Sequence, residues 1–137
     1  MSVSELSKKF IEFYDKLSSW EHSVVKDSGL SPAQMHTIEV IGHHQDLMMR
    51  ELADRLGITT GTLTVAVDRL EKVGMVMRKP HEHDRRSWLI VLTDQGKSMY
   101  EQHNRYHEEL TKEISHELSD QEIETITRLL GLIIERM

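Results

Sequence analysis

The sequence predicts a mainly α-helical fold with one β-hairpin set between its fourth and fifth helices, and three observations predict it. Apolar residues recur at helical spacing over most of the 137 residues. That spacing gives way to short alternating or β-branched runs only at Met75–Lys79 and Ser87–Thr93. Residues that cap or stop helices punctuate the boundaries: Ser31, Gly57, Thr59, Gly74 and Ser119.

The elements follow in order. Leu6, Phe10, Phe13, Tyr14, Leu17, Trp20 and Val24 mark a first helix from Glu5 to about Asp27, broken by Asp27-Ser28-Gly29. Ser31-Pro32-Ala33-Gln34 starts a second, with Ser as N-cap, Pro at the first helical position and Gln closing a capping box. It runs to about Gly42. Leu47 begins a short third helix that stops at Gly57. Thr59 or Thr60 caps a fourth, with Leu63, Val67 and Leu70 as its buried stripe and Gly74 as its end. The two strands enclose a polar turn, PHEHDRR. Thr93-Asp94 opens a long helix from Gln95 to about Leu118. Ser119–Glu122 is another capping box, and Ile123, Ile126, Leu129, Leu130, Ile133 and Ile134 form the apolar side of the last helix.

Composition narrows the function classes. The chain is 38% hydrophobic but only 5% aromatic, so the expected core is aliphatic and filled by methionine, Met48 and Met49 included. With no Cys there is no disulfide, thiolate metal site or thiol switch. No run of 18 apolar residues and no apolar block after MSVSELSKKF predict neither a membrane span nor a signal peptide, hence a cytoplasmic protein. No Gly-rich phosphate loop, Ser-His-Asp constellation or cofactor fingerprint supports an enzyme. The net charge of −6 is unevenly spread: from Arg50 to Ile90 eight Lys/Arg face six acids. An acidic body with a relatively basic middle can still dock on phosphate, because the local field decides.

Helix, short helix, turn, helix and hairpin in that order make a winged helix-turn-helix, flanked by long N- and C-terminal helices. The helix after Thr59 carries Thr60, Thr62, Thr64 and Val65 where base edges would lie, and Arg69 further along, within reach of phosphate. The loop His81–Arg86 projects as the wing, with Arg85 at its tip suited to a narrow minor groove.

The stretches ELADRLGITTGTLTVAVDRLEKVGMVMR and HDRRSWLIVLTDQG, with Asp84-Arg85-Arg86 followed by Leu92-Thr93, resemble the MarR family. The resemblance covers nearly the whole chain as one domain: 1–30 and 95–137 as dimerisation helices, 31–94 as the winged helix-turn-helix. It implies that Asp84 and Arg86 brace the wing, that Arg85 enters the minor groove, and that the terminal helices interleave. Many members carry a base where this chain has Val65. Surface accounting also predicts a homodimer on a pseudo-palindromic operator, since the winged core is too small to cover the apolar stripes of the first and last helices.

Nine histidines suggest a metal effector. His103 and His107, four residues apart on the long helix, share a face. His36 lies one turn into the second helix, and Glu21 and His22 near the end of the first. In the architecture the resemblance implies, these regions meet. There the set resembles the zinc-responsive AdcR/ZitR-type repressors: His36, in LSPAQMH, falls on one of their ligands, and His103 and His107 on two more. Glu21 matches the fourth if the following loop is shorter here. Three imidazoles and a carboxylate suit Zn²⁺, though other divalent transition metals accept the same donors. Such a site weakens below about pH 6, because ligand histidines must be neutral. That subgroup's secondary site, with a thiol, is expected to be missing, since Met35 and Gln102 stand at two of its positions. His43 and His44, with Glu39, form a competing cluster expected to be solvated. His81 and His83 are expected to meet phosphate or water, and His116 has no evident partner. Two alternatives stand: a MarR-type regulator released from DNA by a small organic ligand, and a dimeric adaptor that binds no DNA.

Overall fold

The computed structural model describes residues 2–84 and 86–137. Six helices and three short strands follow in order: α1 (Val3–Val25), α2 (Pro32–His44), β1 (Leu47–Met48), α3 (Met49–Leu56), α4 (Thr60–Lys72), β2 (Val76–Pro80), β3 (Trp88–Leu92), α5 (Asp94–Ile114) and α6 (Asp120–Glu135). By its internal contacts the chain resolves into Met1–Gln102 and His103–Met137.

In the first unit, local chemistry sets most boundaries. Capping boxes start α1 at Ser2/Glu5 and α2 at Ser31/Gln34. Gly57, at φ 67°, ends α3 in the left-handed conformation that glycine adopts without strain. Thr59 caps α4 by accepting the Thr62 N–H at 3.1 Å. β3 is the central strand of an antiparallel sheet, pairing Met77 with Val91 on one side and Leu47 with Ile90 on the other. The core between helices and sheet is aliphatic: Ile38, Ile41, Leu52, Leu63, Val67, Leu70 and Ile90 are almost fully buried, with Met35 among them. Met49 packs partly buried against it.

The second unit is the remainder of α5 and α6, the latter opened by the Ser119/Glu122 capping box. Its apolar residues Ile123, Ile126, Leu129, Leu130 and Ile133 remain 37–45% exposed in the single chain.

Two boundaries differ from the sequence expectation. Leu47 and Met48 are not helical but bridge to β3, and α3 begins two residues later, at Met49. Gln45 and Asp46, both at positive φ, turn the chain so that Leu47 is buried, and Glu51 accepts the Met48 N–H at 3.1 Å to start the helix. A two-residue bridge leaves no periodicity to read. α5 ends at Ile114 rather than near Leu118, where the Ser115 hydroxyl donates to the Thr111 carbonyl at 2.6 Å and the Leu118 N–H to Ser115. Among the described residues, no helix is long and apolar enough to cross a membrane.

Candidate nucleic-acid interface and cation site

The reading surface is α4 and the hairpin that follows it. Burial of Leu63, Val67 and Leu70 turns the opposite face of α4 outward. Thr60, Thr62, Thr64, Val65 and Arg69 are all exposed. Two of the threonines are partly engaged within the helix: the Thr64 hydroxyl donates to the Thr60 carbonyl at 2.8 Å, and the Thr59 hydroxyl to Thr62 Oγ1 at 3.0 Å. What Thr64 offers outward is therefore its methyl group and lone pairs. Arg78 of β2 holds the far end of the helix, donating to Asp68 at 2.8 Å and to Glu71. The pair of bonds couples the hairpin to α4 and offsets part of the charge of the two carboxylates.

The wing is tied by its own side chains. Asp84 accepts the Arg86 N–H at 2.9 Å and the Ser87 hydroxyl at 3.0 Å. Those two hydrogen bonds, the backbone one foremost, hold its carboxyl below the usual carboxylate range. His81 Nδ1 accepts the N–H groups of His83 and Asp84, each at 3.1 Å. Arg86 is exposed, so Asp84 braces the turn through the backbone of Arg86 while its guanidinium remains at the surface. Arg85 lies outside the described residues.

The histidines divide into two kinds. His22, His43, His44, His83 and His116 are exposed. His22 Nδ1 lies 2.8 Å from the Ser18 carbonyl, and His43 Nδ1 lies 3.1 Å from the Tyr100 hydroxyl. His44 Nε2 accepts a hydrogen bond from Arg55 of α3 at 3.2 Å, a guanidinium that can only donate. His103, by contrast, is 1% exposed, and His107 is half-buried with its ring edge-to-face to that of His103 at 4.8 Å. One helical turn on α5 accounts for that contact.

Glu21 and Glu39 are half-buried carboxylates on α1 and α2. Burial first, and then the Glu21 charge, push the Glu39 carboxyl up to about 7. Of the four residues expected to hold a metal, His103 and His107 stand ring to ring on α5, and Glu21 lies close enough to Glu39 for its charge to act on that carboxyl. His36 is exposed. Glu39 sits one turn further along the same helix. Its signal in the sequence is an acid between Ile38 and Val40-Ile41, flanked by residues that the core needs. Met35 is buried in the aliphatic core, 2% exposed.

Comparison with known proteins matches residues 28–87 to the MarR family. The chain is 29% identical over 134 residues to the uncharacterized HTH-type transcriptional regulator YcgE of Bacillus subtilis, covering 95% of this chain and 87% of that one. Its fold is similar to Streptococcus pneumoniae FabT in complex with DNA, with a TM-score of 0.87 at 25% identity over 98% of this chain and 96% of that one. A MarR family protein from Bacillus stearothermophilus aligns with a TM-score of 0.90 at 24% identity, over 98% of this chain and 94% of that one. These similarities are to regulators and not to enzymes. With the exposed α4 and the Asp84-braced wing, they describe a winged helix-turn-helix that is similar to transcriptional regulators, its residues 28–87 matching the MarR family.

Proposed function

We propose that this regulator is a zinc-controlled repressor, dimeric on a pseudo-palindromic operator. The carrying observation is two donor pairs: the imidazoles of His103 and His107, edge-to-face at 4.8 Å on α5, and the carboxylates of Glu21 and Glu39, close enough that the charge of Glu21 acts on Glu39. Two imidazoles and two carboxylates are a nitrogen–oxygen donor set of the kind Zn²⁺ accepts in tetrahedral sites. A dication there would also relieve the mutual repulsion of Glu21 and Glu39, the interaction that helps raise the Glu39 carboxyl. His36, on the resembling subgroup's ligand position, enters this reading as an exchangeable donor one turn from Glu39. Metal can alter DNA binding only through its differential affinity for two arrangements of the chain. Operator affinity measured with zinc and with a chelator tests the reading, and equal affinities would sink it. Dimerisation is supported by the apolar residues of α1, with Leu6, Phe10 and Phe13 44–55% exposed, and by the similar stripe on α6. Light scattering should give twice the 16.0 kDa chain mass.

A second reading has its own observation. A cavity of about 450 Å³ lies among the end of α2, the outer face of the hairpin and the start of α5. Ile41, Met77, Val91 and Tyr100 give it an apolar wall, with Lys79 and Lys97 on its lining. That size suits a small organic effector. An effector screen by thermal shift on metal-free protein separates the two: a hit that also lowers operator affinity, with zinc having no effect, would replace metal with an organic signal.

A further inference from the structure

The outward face of α4 is unusual in what it lacks. From Thr59 to Val67 the chain reads TTGTLTVAV, without one Arg, Lys, Asn, Gln, Asp or Glu. Guanine is read in the major groove chiefly by Arg or Lys, adenine by Asn or Gln, and cytosine by a carboxylate. None of those donors or acceptors is present over the first two turns of this helix. The nearest charged residues are Asp68, engaged by Arg78 at 2.8 Å, and Arg69 beside it.

What the face does present is apolar. At about 100° per residue, Val65 lies about 200° from Leu63 and so stands opposite the buried stripe. It is 51% exposed although its neighbours Leu63 and Val67 are fully buried. One turn earlier on the same line is Gly61. A Cβ there would meet only Thr59 Oγ1 at 3.9 Å, so packing does not demand the glycine. Its effect is to leave room beside Val65 for a base edge. Thr64, its hydroxyl proton given to the Thr60 carbonyl, adds a methyl group to the same face.

We propose that Val65 is the residue that determines sequence specificity, and that it does so by packing on the C5-methyl of a thymine in each operator half-site, in the space Gly61 leaves open. The inference rests on α4 being the helix that enters the major groove. Thymine is the one base whose major-groove edge carries a methyl group, so an apolar reader selects it without any hydrogen bond.

The test begins with operator duplexes selected from random DNA by the full-length protein. Each thymine of the selected site is replaced in turn by deoxyuridine, which removes the methyl group and nothing else. One position per half-site should lose about fourfold in affinity, the factor for one buried methyl group. With Val65→Ala, the same replacement should cost less than half of that factor, while the salt dependence of binding stays as in the parent. Val65 is exposed, so an unchanged melting temperature verifies that this variant folds. A selected site in which no thymine responds to the replacement overturns the proposal, as does an equal loss in the parent and in Val65→Ala. If mutation of Thr64 and Arg69 also leaves selection and affinity unchanged, α4 is not the reading helix, and the proposal falls for that separate reason.

Discussion

The two working regions of this chain are built on opposite terms. On α4, polar and apolar side chains stand in solvent, and the helix satisfies their hydrogen bonds from within: Thr64 turns back to Thr60, and Thr59 to Thr62. Elsewhere, groups that can carry charge are taken out of solvent: His103 is 1% exposed, and burial first, then the Glu21 charge, pushes the Glu39 carboxyl up to about 7. A surface that must meet a partner of fixed shape gains from being settled beforehand. A cluster that must respond to a signal gains from being unsettled, because a bound cation then has repulsion and desolvation to relieve. If the proposed metal control holds, stability of the head and sensitivity of the cluster rest on separate residues, and each can be broken alone.

The largest expected effect is in the cluster. His107→Ala should lower zinc affinity by about a hundredfold or more, read by competition with a chelating dye. Metal-free DNA affinity should stay within about twofold of the parent, since the substitution leaves every residue of α4 and the wing unchanged. A comparable fall in metal-free DNA binding would mean that the cluster holds the head in shape rather than sensing metal.

Next is the head's own brace. Arg78→Ala removes the bonds to Asp68 and Glu71 and leaves the charge of those two carboxylates without that offset. Operator affinity should fall about tenfold and depend less steeply on salt, while zinc affinity is unchanged. Thr59→Ala is smaller. Loss of the cap on α4 should cost about 1 kcal/mol of stability, measured by urea denaturation.

The smallest effect is a pH dependence. Glu39 has its carboxyl raised from 4.5 to about 7 by burial and by Glu21. Below the ordinary range it is protonated folded or unfolded, and its contribution to stability is fully present. That contribution is lost as pH rises through about 7, where the folded protein must ionise a desolvated group. Metal-free protein should therefore lose stability between pH 5 and 8 relative to Glu39→Gln. The difference should be under about 1 kcal/mol, because the carboxyl is partly exposed and screened. Identical pH profiles would remove Glu39 from the cluster.

The residues that carry the class are legible in sequence because they act locally. A cap needs only its own next three residues, so Ser31, Thr59 and Ser119 mark their helices without tertiary help. The wing is equally local: Asp84 reaches Arg86 and Ser87, two and three positions on. The i, i+4 spacing of His103 and His107 put both rings on one face before any coordinate was known. The same locality explains what stayed hidden. Leu47–Met48 becomes a strand only because Leu89 and Ile90 lie beside it, some forty residues later. His44 accepts a hydrogen bond from Arg55, and Arg78 finds Asp68, by contacts that no periodicity encodes.

Sequence by itself thus determined the order of elements, their caps, the wing and the helical face on which two imidazoles stand. Tertiary structure decided which of the possible donors are drawn out of solvent. Along α2, His36 and Glu39 are one turn apart and equally available as donors. The core takes Met35, Ile38 and Ile41, and the rotation this fixes leaves His36 exposed and Glu39 half-buried beside Glu21. Helix rotation is set by the whole apolar stripe, and a single residue's chemistry follows from it.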